Sequence, residues 1–380
     1  YAWTSWDCYR RFLQTWGMSY GIDRDVFDQI MIDFKTRYNV QQKVQFAPAQ
    51  MREMALSYKK VILNQGISIE EDPVKQLKQT ILNVFNSWSS PKAVVYRKIL
   101  QIADEWGTAV IVQKMVLGNL NYTSGTGVLF THAPHIHKPG IYLFGDYSLV
   151  SQGEDIVGGL VNPFALSSKQ PNDENPEQSL QMRFPEIFER LRNLSTEMIE
   201  EHGFSHQEIE FTFESQNPDD LYILQTRDQD LTSQSKPDAF FEPVAEENLL
   251  GRGIGIGGGA LNGIAVFDES DIRHFKETKP DNKLILVRPD TVPEDIGLIF
   301  ETNGLVTARG GATSHAAVTA VRLGKICVVN VASLVVNDRK KQFSMGNTVI
   351  SVGDEIAIDG TIGCVYKGNF ALNVLENRSL

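Results

Sequence analysis

Arg309-Gly-Gly-Ala-Thr-Ser-His-Ala-Ala-Val318 sets two glycines and two hydroxyl residues ahead of a histidine and a run of small residues, the makings of a sharp strand-to-helix turn. An apolar, strand-like segment, Gly304-Leu-Val-Thr-Ala308, precedes it, and a small-residue helix is expected from His315 to Leu323, stopped at Gly324. Gly310 and Gly311 let the backbone turn sharply and expose its N–H groups. Thr313 or Ser314 then supplies an N-cap hydroxyl. His315 falls in the first helical turn, where unpaired N–H donors and the positive end of the helix dipole favour an anion. The same field disfavours imidazolium, so the ring is expected to be neutral and nucleophilic near neutral pH. A phosphoryl group formed on that ring would arrive in a ready-made anion site.

Outward from this turn, Leu284-Ile-Leu-Val287 reads as a buried strand. Strands and helices alternate from 262 to 366, which suggests a compact layered α/β or β/β/α domain. Gly251-Arg-Gly-Ile-Gly-Ile-Gly-Gly-Gly259 does not clearly follow a strand and open a helix, as a dinucleotide loop must, and is read as structural. The string around His315 resembles the phosphohistidine signature of the phosphoenolpyruvate-utilising enzymes, among them pyruvate phosphate dikinase and phosphoenolpyruvate synthase. The resemblance continues through Asp290-Thr-Val-Pro-Glu-Asp295, Gly324-Lys-Ile-Cys-Val-Val329 and Val352-Gly-Asp-Glu-Ile-Ala-Ile-Asp-Gly360. It implies a swivelling phosphohistidine domain over 249–380, with His315 the catalytic phosphoryl carrier. Arg309, Gly310, Gly311, Thr313 and Ser314 would then surround the phosphoryl group.

Composition bounds the rest. At 380 residues, two or three domains are expected. A hydrophobic content of 42% and a charged content of 22% are ordinary for globular protein. No apolar run approaches the roughly 20 residues needed to cross a bilayer, and no signal-peptide pattern opens the chain. A net charge of −11 argues against nucleic-acid binding. Cys8, Cys327 and Cys364 are too few and too scattered for a disulfide framework or a zinc site, and a cytoplasmic setting fits best. The sequence begins at Tyr1 rather than Met, which suggests a fragment.

Residues 1–105 read as helical. Asp72-Pro73 is an N-cap followed by proline at the first helical position. Val74, Leu77, Ile81, Phe85 and Trp88 share one face at helical period. Trp3, Trp6, Phe12, Trp16, Phe27 and Phe34 are read as core-filling rather than base-binding. Tyr9-Arg-Arg-Phe-Leu-Gln-Thr-Trp-Gly17 and Val84-Phe-Asn-Ser-Trp88 resemble the helical insert of the dikinase nucleotide-binding domain.

From Gly107 the pattern turns to strands. Ala109-Val-Ile-Val-Gln-Lys-Met-Val116 is nearly continuous and β-branched, as a buried strand would be. Ser124-Gly-Thr-Gly-Val-Leu-Phe-Thr131 is a hydroxyl- and glycine-bearing turn feeding another strand, and Pro185-Glu186 opens an amphipathic helix that ends at Gly203. His132 and His135-x-His137 lie in a Pro-Gly loop without acidic partners nearby in sequence, and are not read as a metal site.

Glu208-Ile-Glu-Phe-Thr-Phe-Glu214 and Leu221-Tyr-Ile-Leu-Gln-Thr-Arg227 alternate on either side of a polar turn, as a hairpin does. At period two, Glu208 and Glu210 share one face of the first strand, and Gln225 and Arg227 one face of the second. Carboxylates are the hard oxygen ligands Mg²⁺ prefers, and arginine grips phosphate bidentately. Asp228 to Pro243 is a linker by composition.

These strings resemble the C-terminal lobe of the family's ATP-grasp domain. In Tyr142-Leu-Phe-Gly-Asp-Tyr147, Asp146 replaces the family's usual glutamate, and His132 stands where an arginine is usual. The resemblance implies a multi-domain α/β (α+β) protein: a helical subdomain at 1–105, an ATP-grasp lobe at 106–230, a linker at 231–248 and the phosphohistidine domain. It also implies nucleotide contacts at Gln113, Met115, Ser124, Gly125, Thr126, Glu154, Glu208, Glu210 and Gln225. Mg²⁺ would be the cofactor, held by Glu208, Glu210 and Gln225, with Arg227 stabilising the transferring phosphoryl. The implied enzyme is an ATP-dependent phosphotransferase: ATP and phosphate charge the histidine, giving AMP and pyrophosphate. The charged domain then swivels to a barrel where pyruvate becomes phosphoenolpyruvate. Neither that barrel nor the first ATP-grasp lobe is expected within these residues, so ATP binding by this stretch should be weak. The alternatives are a phosphocarrier or regulatory protein charged by partners, or a phosphotransferase with another acceptor.

Overall fold

The computed structural model describes residues 1–99, 102–133, 139–157, 161, 163–170, 175–229, 239–291, 295–311, 314, 317, 319–320 and 323–373. Within them the chain divides into two compact units, Tyr1–Met115 and Val116–Leu380, and the fold is multi-domain α/β.

The first unit is helical: α1 (Ala2–Ser19), α2 (Arg24–Tyr38), α3 (Pro48–Asn64), α4 (Pro73–Ser87) and α5 (Pro91–Ile99). Trp16, Phe27 and Phe34 lie in a buried core with Leu13, Met54 and Ile62, and Trp3, Trp6 and Phe12 pack against its edge. Asp72 caps α4, its carboxylate accepting from the N–H groups of Val74 and Lys75. On the apolar face of α4, Leu77 and Phe85 are exposed and Val74 is 60% exposed; helical period fixes which side is apolar, not what covers it. The strand expected over Ala109–Val116 is absent, with Ile111 86% and Val112 62% exposed. A β-branched run becomes a strand only where a neighbour supplies a ladder and a surface to pack on.

The second unit opens on an antiparallel sheet. Its strands are β1 (Gly125–Phe130), β2 (Phe144–Leu149), β3 (Phe164–Ala165), β4 (Gln207–Phe213) and β5 (Leu221–Asp228), in the order β3-β2-β1-β4-β5. The helices α6 (Gly153–Val157), α7 (Leu180–Arg183) and α8 (Pro185–Thr196) interrupt them, and a π-helical turn carries α8 on to Glu201. Leu129, Tyr147, Ile209, Phe211 and Phe213 pack one sheet face against Leu180, Ile187 and Leu191. By strand alternation, Thr126, Val128, Asp146, Glu208 and Glu210 point to the opposite face.

Beyond a short pair, β6 (Ala239–Phe240) with the late strand Leu372–Asn373, comes a layered domain. Its elements run β7 (Leu249–Arg252), β8 (Ile254–Ile256), β9 (Ala260–Val266), α9 (Glu269–Thr278), β10 (Leu284–Arg288), α10 (Ile296–Glu301), β11 (Gly304–Thr307) and β12 (Ile326–Val329). Then follow β13 (Leu334–Asn337), β14 (Gln342–Met345), β15 (Thr348–Ser351), β16 (Glu355–Asp359) and β17 (Cys364–Lys367). The sheet order is β7-β17-β16-β9-β10-β11-β12-β8, with β9 to β12 parallel at its centre.

Alternate residues of these strands face opposite ways. Val266, Leu286, Leu305 and Cys327 join Ile272 of α9 and Ile299 of α10 on one side. Ala265, Ile285, Val306 and Val328 meet Phe343, Met345 and Ile350 of the small β13–β15 sheet on the other. The result is the expected β/β/α sandwich. The glycine run 251–259 is structural: Gly257, Gly258 and Gly259 take φ of 81°, 65° and 73° in the turn from β8 to β9.

Candidate active site

The β4–β5 hairpin brings the chemistry together by register alone. Glu208 lies opposite Arg227 and Glu210 opposite Gln225, with a bulge just beyond at Phe211. Glu208 and Arg227, which the sequence reading assigned to separate ligands, hold each other: Arg227 Nε donates to Glu208 Oε2 at 2.7 Å, and Nη2 donates to Oε1. Two such parallel bonds are the strong form of an ion pair. Glu210, one pleat along, has its carboxyl pushed up by burial, pulled back by Arg227 and raised again by Glu208. Gln225 is exposed on the same face.

The next two strands extend this face. Val128 lies opposite Glu210 and also opposite Asp146, so Asp146 points the same way two strands over. Sequence reading noted Asp146 only as a substitution. A signal was there: an acid in the interior of an alternating strand, two residues from Phe144 and two from Ser148, occupies a buried-face position. It is 2% exposed.

The remaining expected nucleotide contacts are spread. Thr126 is buried on this face, but its hydroxyl is spent, donating to Phe211 O and accepting from Thr212 Oγ1, each at 2.9 Å. Ser124 Oγ staples the preceding turn, accepting from the N–H groups of Leu120 and Asn121 at 3.0 Å. Gly125 lets β1 pack against Phe213, and α6, which carries exposed Glu154, starts near Thr126 at Gly153. Gln113 and Met115 belong to the first unit, in exposed irregular chain. The structure therefore gathers Glu208, Glu210, Gln225 and Arg227 on one face of the hairpin.

His132 pairs instead with His206, their ring centroids 4.8 Å apart, and burial followed by His132 pushes the His206 imidazole down. Gln229 clamps the His132 backbone through both its amide atoms. His135 and His137 lie outside the described residues, and among the described residues no cluster of three metal-ligating His, Cys, Asp or Glu side chains occurs.

The glycine turn follows β11. Arg309 reaches Asp290 at 3.7 Å, and Gly310 takes φ 100°. Ser314 Oγ accepts from Ala317 N at 3.4 Å, the reach of an N-cap, and Ala317, Thr319 and Ala320 are helical. Gly324 ends this stretch with φ 62°. His315 and Thr313 lie outside the described residues. Gly311, however, lies against the acidic face: a Cβ there would collide with Asp146 Oδ2 and stand 2.9 Å from Pro163 Cγ. Alongside, Phe144 and Ala133 share one buried cluster with Ile256, Leu305 and Cys327 of the layered domain.

Comparison with known proteins gives two domain matches. Residues 33–186 match the pyruvate phosphate dikinase AMP/ATP-binding domain, and residues 280–363 match the PEP-utilising enzyme mobile domain. Among curated proteins, the pyruvate, phosphate dikinase of Rickettsia conorii is 35% identical over 96% of this chain and 44% of its own length. That of Clostridium symbiosum is 32% identical over 96% of this chain and 44% of its own length. The chloroplastic enzyme of Flaveria trinervia is 33% identical over 96% of this chain and 40% of its own length. The chain thus spans less than half the length of the curated relatives it matches.

Proposed function

This is a pyruvate phosphate dikinase-like chain along 96% of its length, and from that premise we propose that it charges a histidine with phosphoryl drawn from ATP. ATP and phosphate enter, AMP and pyrophosphate leave, and the phosphoryl group rests on an imidazole nitrogen of His315. Pyruvate is the proposed final acceptor, and the cytoplasm, consistent with three free cysteines, the proposed setting.

Mg²⁺ fits the residues at the hairpin. Two carboxylates and an amide on one face match an ion that takes one or two carboxylates and completes its shell with water and phosphate oxygens. The upward push on Glu210 is what a bound cation would relieve. When bound, Mg²⁺ would neutralise charge on the nucleotide phosphates. Glu208, Glu210 and Gln225 orient those phosphates, and Arg227 turns from Glu208 toward the transferring group. His315 is the proposed nucleophile.

The observation that supports this reading best is the contact of Gly311 with Asp146, which sets the histidine turn against the sheet face carrying Glu208 and Glu210. Incubation with ATP labelled in its β-phosphate, with phosphate and Mg²⁺ present or omitted, tests it. The expected product is an acid-labile, alkali-stable label on His315 that His315→Ala abolishes. Label appearing only after a partner protein is added would favour the phosphocarrier reading, and label retained in His315→Ala would refute both.

A further inference from the structure

The two glycines of the turn answer different demands. Gly310 needs its freedom for a left-handed φ of 100°, whereas Gly311 is outside that region. What demands glycine at 311 is a neighbour. A Cβ built there would stand 2.8 Å from Asp146 Cγ and 2.9 Å from Pro163 Cγ, besides colliding with Asp146 Oδ2. Asp146 lies in β2 and Pro163 just before β3, both more than 140 residues earlier in the chain. Asp146 is nearly sealed from solvent, and the surrounding contact is apolar, joining Phe144 and Ala133 to Ile256, Leu305 and Cys327.

We infer that Asp146, with Pro163, forms the seat on which the Gly310–Gly311 turn docks, and that Asp146 is a positioning residue for the histidine. The inference rests on the phosphotransfer proposed above. Distances support it. His315 is four Cα-to-Cα steps from Gly311, a reach of at most about 14 Å. Asp146 and Glu210 are two strand spacings apart, about 10 Å. A turn seated on Asp146 therefore holds His315 within reach of phosphates bound at Glu208 and Glu210, and a turn lifted off the seat does not. The seat excludes side chains, so the second glycine is required for docking and not for the fold of the layered domain.

A cross-link tests the contact without any catalysis. In Asp146→Cys/Gly311→Cys, a sulfur at the Asp146 Cγ position would lie 2.8 Å from the new Cβ. That is close to the roughly 3 Å across a disulfide whose S–S bond is about 2.0 Å. Mild oxidation should link the two tryptic peptides in most chains, with no such peptide in either single variant; absence of the linked peptide overturns the seat.

The positioning role has its own readout. Gly311→Ala should cut the rate of His315 labelling at saturating ATP more than tenfold, leave nucleotide affinity unchanged and raise deuterium uptake at Ile254–Ile256 and Ile326–Val329. A Gly311→Ala chain that labels at the wild-type rate refutes the role. A linked peptide in a chain that never labels would leave the seat standing and sink the phosphotransfer. Labelling without a linked peptide would do the reverse.

Discussion

Removing Arg227 is the most informative single perturbation of the acidic face. Its partner Glu208 is 6% exposed, whereas Arg227 itself is 34% exposed. Breaking a fully buried pair costs about 3–5 kcal/mol because a charge is left without a partner, and exposed pairs are worth about 0.2–1 kcal/mol. This pair is sealed on the carboxylate side only, so Arg227→Ala should cost about 2 kcal/mol. The orphaned carboxylate then becomes available to a cation. At ten times its dissociation constant, Mg²⁺ would return about 1.4 kcal/mol, whereas in the wild type the ion must first displace the guanidinium.

Urea unfolding with and without Mg²⁺, followed by far-UV circular dichroism and deuterium exchange at β4 and β5, measures both effects. All tryptophans (Trp3, Trp6, Trp16, Trp88 and Trp106) lie in the first unit, so their fluorescence transition should stay in place and serve as an internal control. A loss below about 0.5 kcal/mol, with the same Mg²⁺ response as the wild type, would refute the account of Glu208 as a sealed and contested ligand.

Further predictions concern other parts of the chain. Glu210, whose folded pKa is raised, binds its proton more tightly in the folded state. Its contribution is therefore most favourable below the unfolded carboxylate value and is lost as pH rises through the folded one. Glu210→Gln should flatten that slope in a pH series of urea midpoints. Burial pushes the Asp268 carboxyl up, but hydrogen bonds from Lys341 and Ser270 prevail and hold it at about 2, so its stabilisation is present above its usual value near 3.8 and fades as pH falls through 2. Lys341, which bonds Asp268 and Asp271 at 2.8 and 2.5 Å, sits at φ 49°. Lys341→Gly should accordingly be about 1 kcal/mol more stable than Lys341→Met in thermal unfolding, though both fall below wild type. Gly127→Ala would place a Cβ 2.6 Å from Phe211 Cε1 and should cost about 2–3 kcal/mol or leave the chain insoluble. Leu77→Lys, on the exposed face of α4, should shift the tryptophan transition by less than about 0.5 kcal/mol.

What could be read in the sequence was whatever is local. The N-cap at Asp72, the alternation of β4 and β5 and the helix opening at Ser314 each depend on residues within a turn or a strand of one another. The face shared by Glu208, Glu210, Gln225 and Arg227 follows from period two and one hairpin. The failures are equally physical. Ala109–Val116 has a strand's composition but no ladder, because the partner surface is not encoded in the segment itself. The burial of Asp146 carried a local signal, but its contact with Gly311 carried none, since that glycine is brought to it only by the packing of one sheet domain on another.

The pairing of Glu208 with Arg227 carries this argument into function. Period two shows which side chains share a face, but not that Glu208 and Arg227, assigned to a metal and to a phosphate, pair with one another. Glu208, 6% exposed, is held by Arg227. Mg²⁺ taken up at Glu208, as proposed above, would release the guanidinium toward the phosphates that arrive with it. Metal and phosphate should therefore bind with positive coupling: nucleotide affinity should rise with Mg²⁺ in the wild type by more than in Glu208→Gln, which lacks the carboxylate that pairs with Arg227. Equal Mg²⁺ dependence in the two, measured by calorimetry, would mean that the ion pair persists through binding and that Arg227 never faces the phosphoryl group.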